Sequence, residues 1–219
     1  MRKLIWVPVI HNYADMGMPI EAFLNSRGDF FEFHRKVDGL WDVIGMELSR
    51  VNPDFPNTQI YMDSWHEGLT LRDAELIAMN GSRNFQLIAR YSYRGARLME
   101  TETKELLYIP VSFRNAIRKR FLEPLWLHRI RERIIFEIYY WNGWLDFSSV
   151  VIENMDARDR YVAKRIQDTL VEGGTAILFM GALHNPMKYI TDNDIEIIEL
   201  PRVIVEVYRI MKEHADEIG

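Results

Sequence analysis

Short apolar runs alternate along this sequence with longer stretches in which apolar residues recur every three or four positions. A short run fits a buried strand, and the longer repeat fits one face of a helix. The runs predict strands at residues 4–10, 59–63, 97–102, 150–153, 175–180 and 195–200. Because Pro8 lacks an N–H, the first strand is expected to end near Pro8 or to lie at an edge of the sheet.

The three- and four-residue repeats predict helices between these strands. They cover residues 30–51, 71–79, 84–93, 112–141 with a break at Pro124, and 158–172. Asp29 and Glu32 resemble a capping pair for the first helix, and Asn52-Pro53 is placed to end it. The segment that follows Pro201 suits a helix to residue 214, although its β-branched VIVEV sequence also suits a strand.

The most informative stretch is a helix followed by a strand near the C-terminal end of the sequence. Asp156 is placed to cap the helix, and Gly173-Gly174 is placed to stop it. Gly181 allows the backbone to turn directly after the strand. His184 then follows at the carboxyl end of the strand, where open α/β sheets place their ligands.

The alternation of strands and helices indicates an α/β fold with a mostly parallel or mixed central sheet flanked by helices. The chain has 219 residues, of which 48% are hydrophobic, and this is enough for one sizeable core. Residues 1–219 are therefore predicted to form a single α/β domain. The helices at residues 112–144 do not fit the alternation and are interpreted as a helical insertion or lid within that domain.

The net charge of −5 and the pI near 5.7 give no general attraction to nucleic acid. The absence of cysteine excludes a disulfide scaffold and a thiolate nucleophile, and it is compatible with a reducing cytoplasm. The first apolar run is too short for a signal peptide, and no run approaches the roughly 20 residues of a membrane span. We expect a soluble cytoplasmic protein with a small-molecule or peptide substrate, and a homo-oligomer is left open.

A residue that can carry chemistry follows each of three predicted strands: His11, Asp63 and His184. Because parallel strands end at one edge of a sheet, these side chains are expected to converge. Two imidazoles and a carboxylate suit a divalent metal with an open position for water, or a base and an orienting acid without a metal. The plainer explanation is that each His is a hydrogen-bonded structural residue and that Asp63 caps a turn.

Two neighbouring pairs have simpler interpretations. His66 and Glu67 are ligand-capable, but polar side chains are common in any surface loop. Arg158 and Asp159 fall in the first turn of the predicted helix, where a local ion pair or the helix dipole explains them most simply.

The segment at residues 156–190, DARDRYVAKRIQDTLVEGGTAILFMGALHNPMKYI, resembles the C-terminal core of the TraB/Tiki group. That group is related in fold to the haem-binding ChaN-like proteins and to the erythromycin-esterase-like proteins. In the group, an Arg-Asp or Arg-Asn pair begins a helix, and an apolar strand and a G-x-x-H motif follow. Arg158-Asp159 matches the pair, and the segment from Gly181 to His184 matches the motif.

Earlier parts of the chain match the same pattern with substitutions. The group has another G-x-x-H after its first strand, and the sequence PVIH stands in that place with Pro8 instead of glycine. Its second strand commonly carries a glutamate, where this chain has Asp63. The sequence RGARLMETETKELL at residues 94–107 resembles the stretch of ChaN-like proteins in which a Gly-Ala pair leads into a strand with acidic residues at its end.

The resemblance implies a metal-assisted hydrolase that acts on peptide or ester bonds. In this interpretation His11, Asp63 and His184 hold or activate a water, with Mn, Co or Zn as the metal, and Arg158 stabilises developing negative charge. An imidazole must be neutral to ligate a metal, so activity is expected to fall below roughly pH 6.

Two alternatives remain open from the sequence. The strand-end cleft could bind haem or another small ligand without catalysis, as the ChaN-like resemblance implies, with Tyr13, Met16 and Met18 as candidate axial ligands beside His11. Alternatively, the protein is regulatory and its site is degenerate. Its contact surface would then be the basic concentration at residues 114–133, which is otherwise a solvated helix face.

Overall fold

Five parallel strands form the central sheet of the described chain, in the order β3-β2-β4-β1-β5. The strands are β1 (Arg2–Val9), β2 (Thr58–Met62), β3 (Arg97–Leu98), β4 (Thr175–Gly181) and β5 (Ile195–Glu199). The computed structural model describes the backbone of residues 1–11, 28–104, 106 and 145–218, and the side chains of residues 1–11, 32–104, 106 and 155–213. The predicted α/β fold is confirmed.

Five α-helices accompany the sheet within the described residues: α1 (Gly28–Val51), α2 (Leu71–Met79), α3 (Arg83–Tyr93), α4 (Leu145–Thr169) and α5 (Pro201–Ile218). Short 3-10 turns lie at Phe55–Asn57 and Pro186–Tyr189. Ser82 caps the N-terminus of α3, and its hydroxyl oxygen accepts a hydrogen bond from the Phe85 N–H at 3.2 Å. This bond satisfies one of the donors that a helix N-terminus leaves without an intrahelical acceptor.

Both faces of the sheet are covered at β1, β2 and β4, and this explains why these strands are nearly continuous apolar runs. One face carries Ile5 and Val7 of β1 and packs against α1, α3 and α5. The opposite face carries Leu4 of β1 and packs against Val162 and Ile166 of α4. Side chains alternate between the two faces along each strand. The position of a residue in this alternation therefore determines the face towards which the side chain directly after the strand points.

Helix α1 confirms the long amphipathic helix predicted from the apolar repeat. Its core positions Leu40, Ile44 and Leu48 are completely buried. It ends at Val51, directly before Asn52, which adopts a left-handed conformation with φ of 49°. The following Pro53 disfavours continued helix in the residue before it.

Helix α4 corrects two predictions. The segment at residues 150–153, predicted as a strand, lies inside α4, and Asp156 lies in the middle of the helix and not at its start. A short apolar run does not distinguish a strand from part of a buried helix. Asp156 instead accepts hydrogen bonds from the Tyr189 hydroxyl and from Lys188 Nζ, the latter at 2.8 Å, so it ties the 3-10 turn to the helix.

The first and third strands also depart in part from expectation. Pro8 lies near the end of β1, as predicted, but β1 is an interior strand between β4 and β5, so the edge alternative was wrong. Strand β3 covers two residues and not the six predicted. Beyond Leu98, the Met99 N–H still donates to the Ile60 carbonyl at 2.8 Å, and the Thr101 hydroxyl oxygen accepts a hydrogen bond from the Met62 N–H at 2.9 Å.

The remaining described elements agree with the sequence pattern. Helix α5 settles the choice at Pro201 in favour of helix, and the strands predicted at residues 175–180 and 195–200 are present as β4 and β5. The predicted helices at residues 112–141, with the proposed insertion at residues 112–144, lie outside the described residues. No helix in the described part of the chain is both long enough and apolar enough to span a membrane.

Candidate functional site

Asp63 is the centre of a buried polar cluster at the carboxyl edge of the sheet. It follows β2 directly, its N–H donates to the Phe179 carbonyl of β4 at 2.8 Å, and its side chain is 9% exposed. Its Oδ2 lies 3.3 Å from His11 Nε2 and accepts the Gly181 N–H at 3.3 Å. Its Oδ1 accepts the Ser64 hydroxyl at 3.2 Å. The turn after β2 therefore places Asp63 against residues that follow β1 and end β4.

The three residues predicted to form the site converge on Gly181. A Cβ atom at this position would lie 3.3 Å from Asp63 Oδ2, 3.6 Å from His184 Cδ2 and 3.9 Å from His11 Nε2. Glycine leaves this space open for the three polar side chains. The expected convergence of His11, Asp63 and His184 is therefore observed, and it follows from the adjacency of β1, β4 and β2 in the parallel sheet.

Arg158 links this cluster to a second buried carboxylate. Its Nε donates to Glu102 Oε1 at 2.6 Å, and its Nη2 donates both to Glu102 Oε2 at 3.0 Å and to Asp63 Oδ1. Glu102 is 2% exposed and also accepts the Ser64 N–H at 2.6 Å. The guanidinium thus bridges two carboxylates, which is the arrangement that buried charges need in order to remain ionised.

The electrostatics of the cluster keep Asp63 and Arg158 charged. Burial by itself raises the pKa of the Asp63 carboxyl, but the hydrogen bond with His11 and the positive charge of Arg158 outweigh it and hold that pKa well below its usual range. Burial lowers the pKa of Arg158, and its bonds to Glu102 and the charge of Asp63 outweigh this effect and raise the pKa overall. Asp63 is consequently a fixed anion at neutral pH.

His184 forms a separate carboxylate–imidazole pair with Asp159. The Nδ1 atom of His184 lies 2.7 Å from Asp159 Oδ1, and the two residues are 7% and 3% exposed. Asp159 Oδ2 accepts the Asn185 N–H at 2.9 Å, so the carboxylate also fixes the loop that carries His184. With Nδ1 engaged, Nε2 is the ring nitrogen left for proton transfer or ligation.

Sequence reasoning missed the roles of Glu102 and Asp159. Glu102 lies beyond β3, and its backbone pairs with His66 in an isolated bridge, so only the path of the chain after β3 brings it to Arg158. The simple local interpretation of Arg158-Asp159 was wrong, because each side chain has a partner far away in the sequence. The sequence did contain two indications of these roles. An arginine and an aspartate are adjacent on one predicted helix, and acidic residues lie near the end of a predicted strand.

His66 and Glu67 show no comparable role. His66 Nδ1 lies 2.8 Å from the backbone carbonyl of Glu67, a local contact within the loop. Glu67 is exposed. The structure therefore gives these two ligand-capable residues a loop environment, and the buried cluster is built from other side chains.

A divalent metal fits the observed donor set incompletely. Both oxygens of Asp63 already accept hydrogen bonds, and one donor is the Arg158 guanidinium, whose positive charge opposes that of a metal ion. In residues 1–11, 32–104, 106 and 155–213, whose side chains are described, no three His, Asp or Glu side chains are arranged to hold a metal ion. His184 has in Asp159 a carboxylate partner outside the predicted ligand set, as is typical of a metal-bound histidine, whereas the carboxylate beside His11 is Asp63, itself a predicted ligand.

The other cofactor and surface predictions fall outside the described residues. Tyr13, Met16 and Met18, the candidate haem ligands, belong to residues 12–27, and the basic concentration belongs to residues 107–144. In comparisons with known proteins, no family model, no curated protein and no solved structure matches this chain. The functional argument therefore depends on the geometry of the buried cluster.

Proposed function

We propose that this protein is a hydrolase that activates water with His184. The observation that carries the proposal is the buried pair of Asp159 and His184, with a distance of 2.7 Å between Oδ1 and Nδ1. The carboxylate orients the imidazole and stabilises the imidazolium that forms when Nε2 takes a proton. A water attacking a substrate carbonyl would lose its proton to Nε2 of His184.

The neighbouring residues have complementary roles in this proposal. Asp63 holds His11 through the 3.3 Å contact, and a protonated His11 donates the proton that the leaving group takes. Arg158 uses Nε and Nη2 to hold Glu102 and Asp63. Its second terminal nitrogen, Nη1, has no hydrogen-bond partner among the described residues, and in this proposal it stabilises negative charge on the carbonyl oxygen. The proton removed from water by one imidazole is thus matched by the proton supplied by the other.

Peptide or ester bonds are the proposed substrate class because of the resemblance to the TraB/Tiki group. The same resemblance implies a metal-assisted form of the reaction, with His11, Asp63 and His184 as ligands. The Asp159 contact to His184 favours this second candidate, since such contacts orient metal-bound imidazoles. The hydrogen bonds to both oxygens of Asp63 favour the metal-free reaction, because they occupy the atoms that would bind a metal. We therefore prefer the metal-free form.

The test is hydrolysis of a panel of nitrophenyl esters and short fluorogenic peptides by the intact protein, after chelation and with added Mn²⁺, Co²⁺ or Zn²⁺. We expect activity that survives chelation and falls by about 100-fold or more in His184→Gln, because general base catalysis contributes this much. His66→Gln is the matched control and should retain activity. Activity only with added metal would favour the metal-assisted form, and equal activity in His184→Gln and wild type would overturn the proposal.

A further inference from the structure

A groove lies beside the candidate site on the face of the sheet that α4 covers. It encloses about 460 Å³ and is lined, among the described residues, by Trp6, Asn185, Met187, Ile197 and Glu199. Asn185 directly follows His184, and its N–H is bonded to Asp159, so the groove begins next to the carboxylate–imidazole pair. From there it extends across β1 to β5 at the edge of the sheet.

Trp6 lines this groove and also carries a buried hydrogen-bond donor. It lies on β1 with Leu178 and Glu199 as its neighbours across the strands. Its indole Nε1 is buried and has no acceptor within the described part of the chain. A buried N–H without an acceptor is unfavourable, so a rotation of the indole ring that brings this N–H to a ligand's carbonyl oxygen would gain a hydrogen bond.

The edge strand adds an apolar position and a negative charge. Ile197 is 40% exposed although it belongs to the sheet, and Glu199 is the charged residue of the lining. Strand β5 pairs with β1 on one side, and no strand of the described chain pairs with its other side. Such an edge leaves backbone N–H and C=O groups available to an extended chain.

We propose that the groove binds an extended peptide segment that carries an apolar side chain against Trp6 and Ile197 and a lysine or arginine at Glu199. On binding, the indole ring turns so that its N–H donates to a carbonyl of the peptide, and the adjacent peptide bond lies next to His184. This inference rests on the proposed hydrolase function and makes its substrate a basic, partly apolar peptide. The charge of Glu199 and the unsatisfied donor of Trp6 favour this occupant over a neutral ester.

The probe is a fluorescein-labelled decapeptide in which threonine alternates with leucine and lysine, compared with a version that has glutamate for lysine. Alternation places leucine and lysine on the same side of an extended chain. Binding is measured by fluorescence anisotropy with the intact protein and with His184→Gln, which prevents turnover. We expect the lysine peptide to bind more tightly than the glutamate peptide by about tenfold.

Charge reversal at two positions of β5 distinguishes binding in the groove from a general effect of the protein's negative charge on a basic peptide. Glu199→Lys should weaken binding of the lysine peptide by about tenfold and reverse the preference towards the glutamate peptide. Glu196→Lys is the matched control, because Glu196 is exposed on the same strand and its side chain is on the opposite face. It should change the dissociation constant by less than about twofold. Equal effects of the two substitutions would overturn the proposal and leave the glutamates as charges that prevent edge-to-edge pairing.

Trp6→Phe tests the indole donor, since it retains an aromatic ring and removes the N–H. It should weaken binding several-fold without a loss of secondary structure by circular dichroism. Absence of binding by either peptide up to about 1 mM would overturn the proposal. Tight, Glu199-dependent binding without hydrolysis by the wild type would support the groove and overturn the hydrolase function. Hydrolysis that Glu199→Lys and Glu196→Lys affect equally would support the hydrolase and overturn the groove.

Discussion

Asp159 Oδ1 lies 2.7 Å from His184 Nδ1, and this contact joins the middle of α4 to the loop after β4. Both residues are almost completely buried. The carboxylate accepts the Nδ1 proton and leaves Nε2 as the basic nitrogen of the ring. In the proposed hydrolase, the tautomer of the general base is therefore set by a residue that need not touch the substrate.

Asp159→Asn should lower hydrolytic turnover by about 100-fold or more while the protein stays folded. The asparagine carbonyl can still accept the Asn185 N–H, but an amide NH₂ facing Nδ1 would force the other imidazole tautomer. With its proton on Nε2, His184 could not accept one from water. Steady-state kinetics and thermal unfolding check this prediction. Asp168→Asn, at an exposed partner of Lys164 on the same helix, is the control and should retain full activity.

Arg158→Met should destabilise the protein by about 3–5 kcal/mol, because it leaves the buried carboxylates of Asp63 and Glu102 without their positive partner. Urea unfolding at pH 7 measures the free-energy difference. Arg158→Lys should give an intermediate loss, since lysine keeps the charge but lacks the planar guanidinium that reaches both carboxylates.

The matched control for this ion-pair prediction is Arg165→Met on the same helix. Arg165 Nη2 lies 3.4 Å from Glu100 Oε2, Arg165 Nε donates to the Glu100 carbonyl at 3.1 Å, and both side chains are substantially exposed. Its loss should change the free energy of unfolding by less than about 1 kcal/mol. Similar losses for Arg158→Met and Arg165→Met would contradict the importance of the buried network.

Gly181→Ala should reduce turnover by about tenfold or more, because the new methyl group would press on Asp63 Oδ2 at 3.3 Å and enter the space shared with His11 and His184. Gly39→Ala is the control. A Cβ at Gly39 meets no atom within 4 Å, and the residue lies inside α1, so alanine should stabilise the helix by roughly 0.5–1 kcal/mol without affecting turnover. Unchanged turnover in Gly181→Ala would be the contrary result.

His34 should make the protein less stable in mild acid. It is 3% exposed on α1, and burial lowers its pKa to about 4 from the ordinary value of 6.5. As the pH falls below 6.5, the unfolded chain takes up a proton that the folded protein does not bind until about pH 4. The free energy of unfolding should therefore fall by at most about 3 kcal/mol across this interval.

His34→Leu should remove this contribution to the pH dependence. The decisive quantity is the difference between the free energies of unfolding at pH 5 and pH 7.5, measured by urea titration for each protein. The comparison between the two pH values cancels any change in core packing caused by leucine. An equal pH dependence in wild type and variant would contradict the assignment to His34.

Much of the fold could be predicted because it depends on patterns within a few residues. The apolar runs at β1 and β4 and the repeat of α1 carry their own periodicity, and the boundaries agree closely. The placement of His11, Asp63 and His184 at one edge followed from the parallel arrangement of strands. Predictions failed where local signals were ambiguous, as at residues 150–153, where a four-residue apolar run belongs to a long helix.

The sequence by itself determined which polar residues follow β1, β2 and β4, since an apolar run and the polar residue after it are local properties of the chain. Only the tertiary structure decided which of these residues are paired with which. Arg158 and Asp159 are neighbours, yet one side chain binds Glu102 and Asp63 and the other binds His184. Successive residues of a helix point about 100° apart, and their partners depend on the docking of α4 against the sheet. That docking is a property of the packed core, so no local pattern contains it.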